Sequence, residues 1–152
     1  MRILHVIAQK PDNTGSGVYL TSLVKALDRA GYEQAVIAGV TTDDPCAFPE
    51  DTRFYPVYFE SEQLPFPVVG MSDVMPYSST LWRDRTPEMI GQFEQAFGLA
   101  LRQALEEFKP DQIFCHHLYL LTALVRETVK DIPVHAFCHS TDLRQIKQHD
   151  LE

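Results

Sequence analysis

Residues 2–30, RILHVIAQKPDNTGSGVYLTSLVKALDRA, decide the fold. Ile3, Leu4, Val6 and Ile7 form a short apolar run interrupted only by His5, as in a strand covered on both faces. Residues 9–17, QKPDNTGSG, then gather Pro11, Asp12, Asn13, Thr14, Ser16 and two glycines, which is loop chemistry. Val18, Leu20, Leu23, Val24 and Leu27 recur at helical spacing, and Gly31 reads as a helix stop. A strand feeding a glycine loop and a helix aims backbone N–H groups at the helix N-terminus, a ready anion site. Gly15, Ser16 and Gly17 would line it. The motif is not a complete fingerprint: Leu20 stands where a dinucleotide fold carries its third glycine, and no G-x-x-x-x-G-K-[ST] occurs. Glycines that merely ease a tight turn are the competing reading.

Outward from this unit, the chain has the 152 residues of one ordinary domain, and 45% are hydrophobic, enough for one packed core. A net charge of −8 argues against a nucleic-acid partner and against a polybasic membrane patch. No apolar stretch approaches a bilayer span, and the first strand, broken by His5 and Gln9, does not read as a signal peptide. Three cysteines without framework spacing point to a reducing compartment, so the cytoplasm is expected. The chain closes on KQHDLE. Leu151 and Glu152 are what a cloning junction often leaves, so residues 1–150 are expected to be an N-terminal domain of a longer protein. A natural terminus is the alternative.

Residues 34–38 read as a second buried strand. Residues 54–59, FYPVYF, contain Pro56 and suit an edge strand. Residues 60–86 are irregular yet apolar, so they are expected either to be pinned by their own side chains or to line a cleft. Thr86-Pro87-Glu88 is a helix start, and Phe93, Phe97, Leu101, Leu105 and Phe108 step along the helix to Lys109-Pro110. Residues 113–115 form a strand ending in His116-His117. Residues 118–129 are expected to be helical, with Leu120, Leu121, Leu124 and Val125 on the core face. Residues 133–138 are the last strand, ending in His139-Ser140-Thr141. The order β-α-β-β-α-β-α-β predicts a three-layer, doubly wound α/β domain: a mostly parallel sheet, right-handed crossovers and a central first strand. Ligands of such sheets sit beyond the carboxyl ends of the strands, where strand order reverses. The glycine loop, His116-His117 and His139-Ser140-Thr141 all fall at that edge.

Cys115-His116 and Cys138-His139 invite a zinc reading, but neither pair has metal-ligand spacing, and adjacent strand residues face opposite ways. The cysteines read as buried small hydrophobes rather than ligands or nucleophiles. His139, at a strand end beside two hydroxyl residues, suits a sugar hydroxyl or a phosphate. Only one of His116 and His117 can face the cleft. His5 and His135 read as satisfied core residues, and His149 as part of a solvated tail. Asp142 is open to two readings, an acceptor contact or a charged helix start. The aromatic and methionine content of residues 66–82 reads first as packing, with Trp82 as a possible platform for a sugar face.

In their order and spacing, these motifs resemble the N-terminal half of a GT-B glycosyltransferase of family 4 (group 1). MRILHV with GSGVYLTSLVKALDRAGYEQAVIAG, then KPDQIFCHHLYLLTALV, then PVHAFCHSTDL carry the resemblance over nearly the whole chain. It implies a retaining, metal-independent, hexosyl-type transfer from a nucleotide-sugar to an acceptor, with no further cofactor. It implies that Gly15, Ser16 and Gly17 meet the donor diphosphate, and that His139 touches the donor sugar at the reacting centre. His116, His117, Ser140, Thr141 and Asp142 are then the candidates for acceptor or sugar contacts. The resemblance also implies a donor-binding C-terminal domain in cis, which these residues do not contain, so the isolated domain is expected to fold without transferring sugar. Two rivals stand beside it. One is a non-catalytic α/β module for a nucleotide or phosphate; the other is a dinucleotide oxidoreductase domain, weakened by Leu20.

Overall fold

The computed structural model describes residues 1–45 and 48–148. Leu151-Glu152, read as a cloning remnant, and His149, read as a tail residue, lie outside them.

Five strands, β1 (Arg2–Ile7), β2 (Glu33–Val40), β3 (Arg53–Tyr58), β4 (Gln112–His116) and β5 (Val134–Phe137), form one sheet in the order β3-β2-β1-β4-β5. Every pairing is parallel. Leu4 pairs with Ala35 on one side and Ile113 on the other, so β1 is central and the strand order reverses beside it. Pro56 pairs opposite Ala38 on β3, an outer strand, where a missing backbone donor is tolerated.

Strand alternation sorts the core onto two faces. Leu4, Val6, Ala35, Ile37 and Ile113 pack with Phe93, Phe97 and Leu101 of α2 (Pro87–Glu107) and Leu121 and Val125 of α3 (Leu120–Thr128). Ile7, Val36, Ala38 and Val40 face Leu20 and Val24 of α1 (Gly15–Arg29). The expected start of α2 is found: Thr86 Oγ1 accepts the Met89 N–H at 3.2 Å, and Pro87 opens the helix. A further helix, α4 (Ser140–Gln148), follows β5.

Several details differ from the sequence reading. The helix after β1 begins at Gly15, not after Gly17, because Thr14 caps it: its Oγ1 accepts the Gly17 N–H at 3.1 Å. Val18, expected on the apolar face, is half exposed; Ser16, Gly17 and Thr21 are buried instead. α3 is shorter than residues 118–129 because His117 takes a left-handed turn, φ 78°, before Tyr119 caps the helix. His135 and Cys138 are exposed rather than core, since β5 is the outer strand on its side. Cys115 is buried as expected, and burial pushes its thiol up to about 12.

Both expectations for residues 60–86 hold. Leu64, Phe66, Val68 and Val69 are buried, and the backbone closes on itself through Gly70 N–H to Thr80 O and Thr80 N–H to Val68 O. Trp82 packs into the core 4.0 Å from the Tyr119 ring, so it is not a sugar platform. Residues 71–76, by contrast, reach the carboxyl edge of the sheet.

Candidate functional site: a cleft between two helix N-termini

A cleft of about 370 Å³ opens beyond the carboxyl ends of β1, β4 and β5. Thr14, Gly15 and Ser16 bring the N-terminus of α1 to it; His139, Ser140 and Thr141 bring that of α4. Gln9 and His117 form its floor, and Met71, Ser72, Val74, Met75 and Pro76 complete the wall. Among the described residues, no Lys, Arg, Asp or Glu lines it. Two helix N-termini therefore supply its positive potential, through backbone N–H groups and helix dipoles.

The two glycines do different work. A Cβ on Gly17 would meet Lys10 O at 2.7 Å and Asp12 N at 2.8 Å, so this position lets the preceding loop cross the helix. A Cβ on Gly15 would meet nothing within 4 Å; here the backbone is open toward the cleft. The wall of residues 71–76 is held from its end: Lys10 pairs with Asp44 at 2.9 Å and lies 5.3 Å from the centre of the Tyr77 ring. Gln145 Nε2 donates to Asp73 Oδ1 at 3.4 Å.

Beneath the cleft lies a buried polar chain. Asp142, fully buried, accepts the His139 N–H at 2.9 Å and the Leu118 N–H at 3.0 Å through Oδ2. The first of these is half of a capping box, the third helical residue reaching back to the cap. Its Oδ1 takes His117 Nδ1 at 2.6 Å. His117 Nε2 lies 2.9 Å from the Gln9 amide nitrogen, which also meets Ser16 Oγ and Thr14 Oγ1. Burial opposes the Asp142 charge, but the bond from His117 and those from the two backbone N–H groups hold the carboxyl below its ordinary value. Burial, with the His117 ring beside it, lowers His139, which is therefore neutral at pH 7. Its Nε2 has no partner among the described residues.

The sequence of residues 14–150 matches the model of the glycosyl transferase 4-like domain. The chain belongs to that family. No curated protein matches the sequence of this glycosyl transferase 4-like domain. Among solved structures, sucrose-phosphate synthase (tll1590) from Thermosynechococcus elongatus superposes with a TM-score of 0.60 at 13% identity over 97% of this chain. A shorter form of the same protein gives 0.56 at 14% identity and 97% coverage. The glycosyltransferase SsfS6 of Streptomyces sp. SF2575, solved with thymidine diphosphate, gives 0.46 at 19% identity and 98% coverage, with 44% of its own length covered. The chain spans 35% of the first synthase chain and 68% of the shorter form. The expected α/β, Rossmann-like GT-B half is thus found.

Of the residues expected to serve this family member, Gly15, Ser16, His117, His139, Ser140 and Thr141 meet at the cleft. Three do not line it. Gly17 is buried against the loop backbone. His116 lies on the α1 face, its ring stacked on Phe137 at 5.1 Å and beneath Tyr19 at 6.0 Å. Of the two histidines, His117 is the one that lines the cleft. Asp142 is fully buried beneath the cleft, with Oδ1 against His117 Nδ1. Gln9 is the residue that sequence reasoning missed, seen there only as a polar break after β1. Among the described residues, no group of three or more His, Cys, Asp or Glu side chains is placed to hold a metal ion, and no helix is long and apolar enough to cross a membrane.

Proposed function

We propose that the domain is the acceptor-side half of a retaining glycosyltransferase that moves a hexosyl group from a nucleotide-sugar and uses no metal. The observation that carries this reading is the convergence of the α1 and α4 N-termini on one uncharged cleft beside a neutral His139. Backbone N–H groups there stabilise charge on a departing diphosphate, the task a divalent cation performs elsewhere. The His139 ring, with a free Nε2, hydrogen-bonds the sugar beside the breaking bond. Among the described residues, no carboxylate lines the cleft to act as nucleophile. Retention then follows if the acceptor enters on the face that the diphosphate leaves. A second domain in cis grips the nucleotide and closes the cleft, and the enzyme works in the cytoplasm.

The test is turnover of UDP-, GDP- and TDP-sugars by the protein carrying its second domain. Wild type is expected to turn over one of them, and His139→Ala to lose about 100-fold in kcat. An unchanged kcat removes His139 from the reaction. Nucleotide binding with neither transfer nor hydrolysis would favour a non-catalytic phosphate-binding module.

A further inference from the structure

An ionised carboxylate only accepts hydrogen bonds, and Asp142 Oδ1 lies 2.6 Å from His117 Nδ1, so that nitrogen carries the ring proton. The Gln9 amide nitrogen, which can only donate, lies 2.9 Å from His117 Nε2, so that ring nitrogen is the acceptor. The second amide hydrogen is taken by Ser16 Oγ and Thr14 Oγ1. Both amide donors are spent, and Gln9 cannot flip without setting its oxygen against a lone pair. Its Oε1 has no partner among the described residues, although Gln9 is only 1% exposed and lines the cleft. Buried oxygens without partners are rare in folded proteins. His139 Nε2 is unpartnered in the same cleft, and its ring lies 4.5 Å from that of His117. Two polar atoms without partners among the described residues, in a wall whose described residues carry no charged side chain, suit a neutral, hydroxyl-rich ligand.

We propose that Gln9 is a substrate-binding residue whose Oε1 accepts a hydroxyl of the transferred sugar, and that Asp142, acting through His117, is the positioning residue that fixes this orientation. This rests on the transferase reading above. It adds a sugar contact from the end of β1 and gives the buried Asp142–His117 pair a task in selectivity.

Three measurements test it. In the protein carrying its second domain, with whichever of UDP-, GDP- or TDP-glucose it turns over, Gln9→Met should lower kcat/KM roughly tenfold. The deficit should vanish for the one singly deoxygenated donor that lacks the contacted hydroxyl. An equal deficit across all deoxy donors, or none at all, overturns the contact. An ionised carboxylate from Gln9→Glu cannot donate to Nε2, so the pair fits only while it holds a proton, and the activity profile should move to lower pH. An unchanged profile overturns the orienting role, because a packing defect would scale the profile without moving it. The third measurement needs no turnover: NMR of the imidazole nitrogens in the 152-residue chain should find His117 protonated at Nδ1 and bare at Nε2. A proton on Nε2 in neutral solution overturns the orientation argument. A bare Nε2 in a protein that turns over no nucleotide-sugar removes the transferase reading and the sugar contact, and leaves the orienting chain standing.

Discussion

His117 and Asp142, 25 residues apart, are joined by a 2.6 Å hydrogen bond that ties the end of β4 to the first turn of α4. Both side chains are buried, the carboxylate completely. The bond therefore sits where an ion is expensive to keep and more expensive to leave alone.

Acid should expose that dependence. The folded Asp142 carboxyl is held below its ordinary 3.8, so its contribution is fully present above that value and is lost as pH falls through the lower folded value. Asp142→Asn should cost about 3 kcal/mol at neutral pH and flatten the acid limb of the stability curve. Urea unfolding at neutral pH and at about pH 3 reads both effects. A variant that keeps the wild-type acid slope would remove Asp142 as its source.

His116 should behave in the opposite way to its neighbour. Burial, reinforced by His5, His139 and His117, pushes it down to about 3, and burial pushes His5 down to about 4. The unfolded chain takes up protons near the ordinary 6.5 while the folded one does not, so stability falls as pH drops from there toward those values. Both ring nitrogens of His116 lack partners among the described residues. His116→Phe should match or exceed wild-type stability at neutral pH and gain a few (~3) kcal/mol at acid pH, with transfer unaffected. Thermal melts across pH and a turnover assay check this; lost transfer would return His116 to the site.

Gly15→Ala and Gly17→Ala should separate binding from folding. The new methyl at Gly17 would collide with the backbone of Lys10 and Asp12, at a cost of about 2 kcal/mol. At Gly15 it has room, so stability should hold or rise by up to ~1 kcal/mol. Because it projects where a diphosphate would approach, nucleotide affinity should fall. Chemical denaturation and calorimetric titration with UDP distinguish the two; equal effects at both glycines would contradict the geometry.

Trp82 is the single tryptophan and is 7% exposed, against Tyr119 and with Arg85 4.5 Å from its ring. Its fluorescence should track unfolding and stay unchanged on adding nucleotide-sugar, since it does not line the cleft. A large saturable change at low ligand concentration would put the ring nearer the ligand than the structure does.

The frame was legible because its signals are local. Pro56 marks an edge strand through its own missing N–H, and Thr86-Pro87 starts α2 through its own cap. Where neighbours decide, the reading failed. Residues 133–138 read as a strand with His135 and Cys138 buried, but β5 is the outer strand on its side and both are exposed. Thr14 inside a run of loop formers gave no reason to move the helix start ahead of Gly15, although its capping oxygen does so. Gln9 needed a contact with His117 across 108 positions. Its one local mark was a polar side chain directly after a buried strand, a signal worth pursuing where ligands gather at strand ends.

His117 holds its backbone at φ 78°, a left-handed region that suits glycine or asparagine. Relaxing that turn would be a natural step in engineering a hardier domain, and replacement by glycine would ease the backbone. It would also delete the ring that joins Asp142 to Gln9. A library screened only for heat resistance could therefore favour loss of the feature that orders the cleft, and position 117 should be held fixed in any such search.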